Sequence, residues 1–140
     1  MNRENLERGA AGLWALPDDY EHFDMATFFS RGMQEFKPDT KANLNICGTV
    51  ACALGHFPSF GMPGLHDEEW IGYSYRVTGL DICRAGEWDW CFGQDWAYTP
   101  YNAAKHAASR IWWLLDRGLP DDWLPQIVGN VPLCCEGYGQ

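Results

Sequence analysis

The strongest constraint on the fold lies between Thr99 and Gly118, which reads as one long helix. Thr99 is placed to cap it, and Pro100 to fill its first position, where a missing N–H costs nothing. Ala104, Ala107, Ala108, Ile111, Leu114 and Leu115 recur at helical spacing and form an apolar stripe. Alanines in that stripe let a second helix approach closely. Arg117 suits the last turn and Gly118 the stop. A chain of 140 residues organised around such a helix predicts a mainly α fold. The expected architecture is a single compact helical domain over residues 1–140, with room for a short strand pair.

The rest of the chain reads as shorter elements. Asn2 is a good cap for a first helix ending near Leu16, with Leu6, Ala10, Leu13 and Trp14 at helical spacing and Pro17-Asp18-Asp19 as its stop. Phe23 to Phe29 is apolar and short, and fits a strand or a helical turn. Residues 30–45 read as an irregular loop. A second helix is expected from Thr49 to Phe57, followed by a Pro/Gly loop to Gly64. The acidic run Asp67-Glu68-Glu69 suits the start of a third helix that ends at Gly79. A last short helix is expected within Pro120 to Val128.

Three groups of residues could carry function. His106, Arg110, Trp113 and Arg117 share one face of the long helix, away from the alanine stripe. Arginine pairs with phosphate and carboxylate and stacks on aromatic rings. Net charge is −9, and residues 71–140 hold five Arg or Lys, of which Lys105, Arg110 and Arg117 fall in this helix. That concentration points to a pocket for an anionic small molecule or a protein partner. The plainer reading is an intrahelical cation–π pair with salt bridges elsewhere.

The second group is the aromatic density of Trp88, Trp90, Phe92, Trp96 and Tyr98, in a chain with eight tryptophans. Either these rings fill the core, or some face a ligand, a partner or a second copy of the chain. The acidic balance disfavours non-specific nucleic-acid binding, which needs a basic patch. No run of about 18 apolar residues is present to span a membrane. The charged start, Met1-Asn2-Arg3-Glu4, does not resemble a secretion signal, so the expectation is a cytoplasmic protein with free thiols.

The third group is Cys47, Cys52 and His56. With a helix starting at Thr49, Cys47 would sit at its positive end, where the thiolate is favoured. Cys52 and His56, four apart, would share a face, as a thiol and its base could. This is the cysteine-enzyme alternative. The same three residues could instead hold zinc, with His66, Cys83 or Cys91 as a fourth ligand, giving a zinc-stabilised interaction module. However, the sequence has no C-x-x-C, the usual zinc knuckle. The plain reading is a helix entry packed with small residues, with no cofactor and no metal.

Phe23-Asp24-Met25, then Cys47-Gly48-Thr49-Val50-Ala51-Cys52-Ala53-Leu54-Gly55, then Cys91-Phe92-Gly93-Gln94-Asp95-Trp96, and Ala103-Ala104 through Arg110-Ile111 to Gly118-Leu119-Pro120 form a combined pattern. It resembles a family of small proteins of bacteria and their phages with the pattern F-D-M, C-G-T-x-x-C-x-x-G and A-A-x-R-I. The resemblance implies a bacterial or phage source and a cytosolic location, and assigns no catalytic residue. Taken together, the expectation is a small accessory binding protein rather than an enzyme. By analogy with small acidic phage proteins, its role would be anti-defence or host-modulating.

Overall fold

Two helices, α1 (Arg3–Trp14) and α5 (Ala104–Arg117), pack antiparallel at the centre of the computed structural model, which describes residues 1–41, 48–82 and 86–129. Ala104, Ala107, Ala108, Ile111, Leu114 and Leu115 are all buried, as their spacing predicts. Each helix caps the other's end. Arg3, at the start of α1, donates to the Leu115 carbonyl at 2.7 Å. Lys105, at the start of α5, donates to the Trp14 carbonyl at 2.7 Å. Cations there satisfy carbonyls that a helix end leaves open and complement its dipole.

The chain runs from α1 through strands β1 (Phe29–Arg31), β2 (Gln34–Glu35) and β3 (Thr49–Ala51) to α2 (Ala53–His56) and a 3₁₀ turn, Phe57–Phe60. Then follow α3 (Trp70–Thr78), α4 (Glu87–Phe92), a second 3₁₀ turn at Gln94–Tyr98, α5 and α6 (Trp123–Gly129). The fold is mainly α with one small antiparallel sheet in the order β2-β1-β3. Phe29 faces Ala51, Ser30 faces Val50 and Arg31 faces Thr49.

Asn2 caps α1 as expected, its side chain accepting from the Asn5 amide at 3.0 Å. Gly79 ends α3 in the left-handed conformation, also as expected. Three expectations are corrected. Residues 49–51 form a strand, because Thr49-Val50-Ala51 finds a partner in β1 that no local pattern reveals; the helix starts only at Ala53, capped by Cys52. Residues 29–35, expected in part as loop, supply a two-strand hairpin with Gly32 at φ +62°. Finally, α5 starts at Ala104. Thr99 instead closes the preceding turn, donating to the Trp96 carbonyl at 2.9 Å and accepting from Tyr101 N–H at 3.1 Å. Asn102 then ties the entry to α5 to the loop before β1, accepting from the Met25 amide at 2.8 Å.

The acidic run precedes α3 as a solvated turn rather than forming its first turn. Glu68 accepts from the Leu65 amide and from two nitrogens of Arg76, each at 2.8 Å. These bonds hold the Glu68 carboxyl below the usual range, with the Arg76 bonds the main cause.

α1 and α2 each pack on the rest of the core through a close contact that only glycine permits. A Cβ on Gly9 would stand 2.1 Å from the Phe57 ring. A Cβ on Gly55 would stand 1.6 Å from the Phe28 carbonyl oxygen, so α2 lies directly on the backbone that leads into β1. That contact fixes Phe28, whose ring belongs to the groove described next.

Candidate functional site

A groove of about 680 Å³ opens between the loop before β1, the start of α3, α4 with its following turn, and α6. Its lining includes the rings of Phe28, Phe36, Trp70, Trp88, Phe92 and Trp123. Phe28 and Trp70 stack at 5.6 Å between centroids and 11° between planes. Trp88 stands at 66° to Phe28 and at 63° to Phe92. The walls therefore lie in more than one plane.

The two central indoles spend their N–H groups inside the protein. Trp70 donates to the Phe36 carbonyl at 2.8 Å, and Trp88 donates to the Ser74 hydroxyl at 2.7 Å. Both indoles are buried and give the groove only a small part of their ring surface. Four carboxylates flank those rings: Glu35 and Glu69 on the β2–α3 side, Asp89 and Asp95 on the α4 side. Among the described lining residues Lys37 is the one cation. It is already engaged by Asp67 and by Glu69, the latter at 3.3 Å, and these bonds raise its pKa. Among the described lining residues the charge is thus net negative.

Cys52 also lines this groove, yet its geometry is not that of an activated nucleophile. Its Sγ accepts from the Gly55 amide at 3.4 Å, as the cap of α2. Burial pushes the thiol up to about 11. His56 does share its helix, but Nδ1 lies 2.7 Å from the Cys52 carbonyl rather than facing the sulfur. A carbonyl can only accept, so Nδ1 carries the proton and Nε2 accepts from the Tyr20 hydroxyl at 2.8 Å. The imidazole lies between Phe23 and Phe60, and burial lowers its pKa to about 4. A neutral thiol and a neutral imidazole bonded to other partners do not make the ion pair that thiol catalysis needs.

Both nitrogens of His56 are thus engaged, which leaves it no lone pair for zinc in this arrangement. Among the described residues no three His, Cys, Asp or Glu side chains gather as a ligand set. Cys91 is buried and its thiol pKa is raised by burial. His66 has a fully exposed side chain and lies beside Asp39. Cys52 and Cys91 are free thiols. Cys47 and Cys83, named in the enzyme and zinc alternatives, lie outside the described residues.

The expected binding face on α5 is split by the fold. Arg110 is fully buried, with its guanidinium 4.1 Å from the Trp96 ring centre and a bond to the Tyr101 carbonyl at 3.1 Å. It cannot present its charge to an external anion. The physical reason is that the segment carrying Trp90 and Trp96 packs over α5 and covers Arg110, although its spacing sets it apart from the alanine stripe. His106 is half-buried edge-on to Tyr101. Trp113 is half-buried with the Arg117 guanidinium over it at 4.4 Å, an intrahelical cation–π pair. Arg117 itself is exposed beside Asp116.

The Trp-rich segment resolves largely into core. Trp90 and Trp96 are fully buried, and their indoles donate to the carbonyls of Arg110 and Trp90 at 2.9 and 3.0 Å. Tyr98 is exposed. Sequence reading missed the groove because its rings come from separate segments. One signal is legible in retrospect: acids adjoin aromatics repeatedly, as in Glu35-Phe36, Glu69-Trp70, Trp88-Asp89 and Asp122-Trp123. No protein family matches the chain, nor does any curated protein or solved structure. No helix among the described residues is long and apolar enough to cross a membrane.

Proposed function

We propose that this is a binding protein whose groove takes a small organic cation with an apolar body. The single observation that carries the reading is the composition of the groove wall: rings together with four carboxylates and, among the described residues, one lysine already committed to acids. Rings attract cations through their negative faces, and nearby carboxylates add long-range attraction. The groove volume falls within the usual range for small-ligand sites, roughly 300–1,000 Å³. A single side chain of a partner would leave most of it empty. Catalysis by Cys52 and His56 has no support in their bonding. The anionic ligand considered above would need Arg110, which is buried. A small accessory protein of a bacterium or phage, acting by sequestering or sensing such a cation, fits this reading.

The test compares ligands of one shape and opposite charge. Benzylammonium should quench or shift tryptophan fluorescence saturably and raise the melting temperature at millimolar concentration, as any ligand of the native state does. Phenylacetate should do neither. Stabilisation by phenylacetate equal to or greater than that by benzylammonium would overturn the proposal.

A further inference from the structure

Resting on the reading of the groove as a cation site, we infer that the charged end of the ligand seats on the α4 wall, at Asp89 and Asp95, because the opposite wall is already served by the protein's own Lys37. The groove has a floor, residues 25–29, and two acid-bearing walls. On one side the Trp70 indole donates to the Phe36 carbonyl at 2.8 Å, so the start of α3 and the end of β2 form a single wall. On the other side Gln94 donates to the Ala26 carbonyl at 3.0 Å, which ties the turn after α4 to the floor.

The two walls differ in charge. The β2–α3 wall contributes Glu35, Glu69 and Lys37, a net charge of −1. Its ammonium is already bonded to Asp67 and lies 3.3 Å from Glu69. The α4 wall contributes Asp89 and Asp95, a net charge of −2, and neither carboxylate is bonded to a cation among the described residues. The fold holds these two acids on one side. The Asp89 carbonyl accepts from the Gly93 amide at 2.9 Å and from the Trp96 indole at 3.1 Å, which brings the residue next to Asp95 back onto Asp89. Gly93 permits that turn, since a Cβ there would stand 2.5 Å from the Asp89 carbonyl oxygen. Asp89 is half-buried, so water and salt screen it less than a fully exposed acid. For the body of the ligand the groove leaves half-buried Phe28, Phe36 and Trp123 and exposed Leu124.

The experiment titrates benzylammonium at low salt, by tryptophan fluorescence, into the parent protein and into Asp89→Asn, Asp95→Asn, Glu35→Gln, Glu69→Gln and Glu87→Gln. Each variant loses one negative charge. Glu87 is an exposed acid of α4 outside the groove lining, so its variant reports the effect of net charge alone. Asp89→Asn and Asp95→Asn should each weaken binding about threefold to fivefold, and the loss should shrink at high salt. Glu35→Gln and Glu69→Gln should cost less than either, and Glu87→Gln should leave affinity unchanged. Melting temperatures of the free variants separate a lost seat from a lost fold; if Asp89→Asn melts far lower, exposed Asp95→Asn decides. A larger loss from Glu35→Gln or Glu69→Gln than from the aspartates puts the charge on the opposite wall and overturns the inference, with the cation site standing. Equal losses from all five variants mean attraction by net charge without a seat, and overturn it as well. Failure of benzylammonium to bind the parent protein overturns the cation reading itself.

Discussion

Two aromatic clusters in this protein meet opposite fates. Around Trp90 and Trp96, centroids 5.5 Å apart, the rings are sealed and the cation is built in, because Arg110 lies over Trp96. Phe28, Trp70 and Trp88 line a groove, with both indoles buried and Lys37, the one cation among the described lining residues, engaged by acids. Local composition barely separates the two, since both mix tryptophan with acidic neighbours. What separates them is whether a helix supplies an arginine behind the rings. α5 supplies Arg110 to the first cluster, and the second, its indoles equally buried, lines the groove between elements. A cation–π contact completes the core at the first cluster; at the second the described lining holds four acids and one engaged lysine.

Removing the built-in cation should have the largest effect. Arg110→Ala deletes a fully buried side chain, its ring contact and its bond to the Tyr101 carbonyl. The expected loss is on the order of 3–5 kcal/mol in urea unfolding. Arg110→Met, which keeps most of the volume, should lose less. Neither change should alter benzylammonium binding under conditions where the variant is folded. A stable Arg110→Ala protein would erase the distinction between the two clusters.

The next effect is of pH. His56 is neutral in the fold, with its pKa lowered from 6.5 to about 4 by burial. Above 6.5 neither state is protonated and the native bonding is intact. As pH falls from 6.5 toward 4 the unfolded chain takes up the proton first, so stability drops. At roughly 1.4 kcal/mol per pH unit the loss from this residue approaches about 3 kcal/mol by pH 4. Half-buried His106, also lowered by burial, adds in the same direction. Urea unfolding between pH 7 and 4 should show this slope, and His56→Gln should lose most of it. Because His56 lies on α2 rather than in the groove wall, cation binding should follow the slope only through unfolding.

The smallest effect sharpens the comparison most directly. Lys37→Met removes the one cation among the described lining residues and releases Glu69. Exposed ion pairs contribute little to stability, so the melting temperature should hardly move. The groove becomes more negative, and benzylammonium affinity should rise by a factor on the order of two at low salt. Unchanged or weaker binding would mean that charge at this rim does not act on the ligand.

How much of this was legible follows from the range of the interactions concerned. The sequence alone determined the helical class, the α1 cap at Asn2, the stop at Gly79 and the buried face of α5, because each depends on residues within a turn or two of one another. It also brought out the tryptophans as the unusual feature. Tertiary structure decided the rest. Thr49 to Ala51 became a strand because Phe29 to Arg31 lies beside it, a pairing some 20 residues apart in the chain. Thr99 was drawn from capping a helix to closing a turn on Trp96. His56 kept its spacing from Cys52 but turned to Tyr20 and a carbonyl, since a buried imidazole goes where its hydrogen bonds can be met. Arg110 was buried because the Trp90–Trp96 turn covers it. The groove exists because Gly55 lets α2 press on the Phe28 carbonyl while Trp70 and Trp88 turn their N–H groups inward. A pattern of period 3.6 states which side of a helix is apolar; only the packing of distant segments states what that side, and its polar edge, will touch.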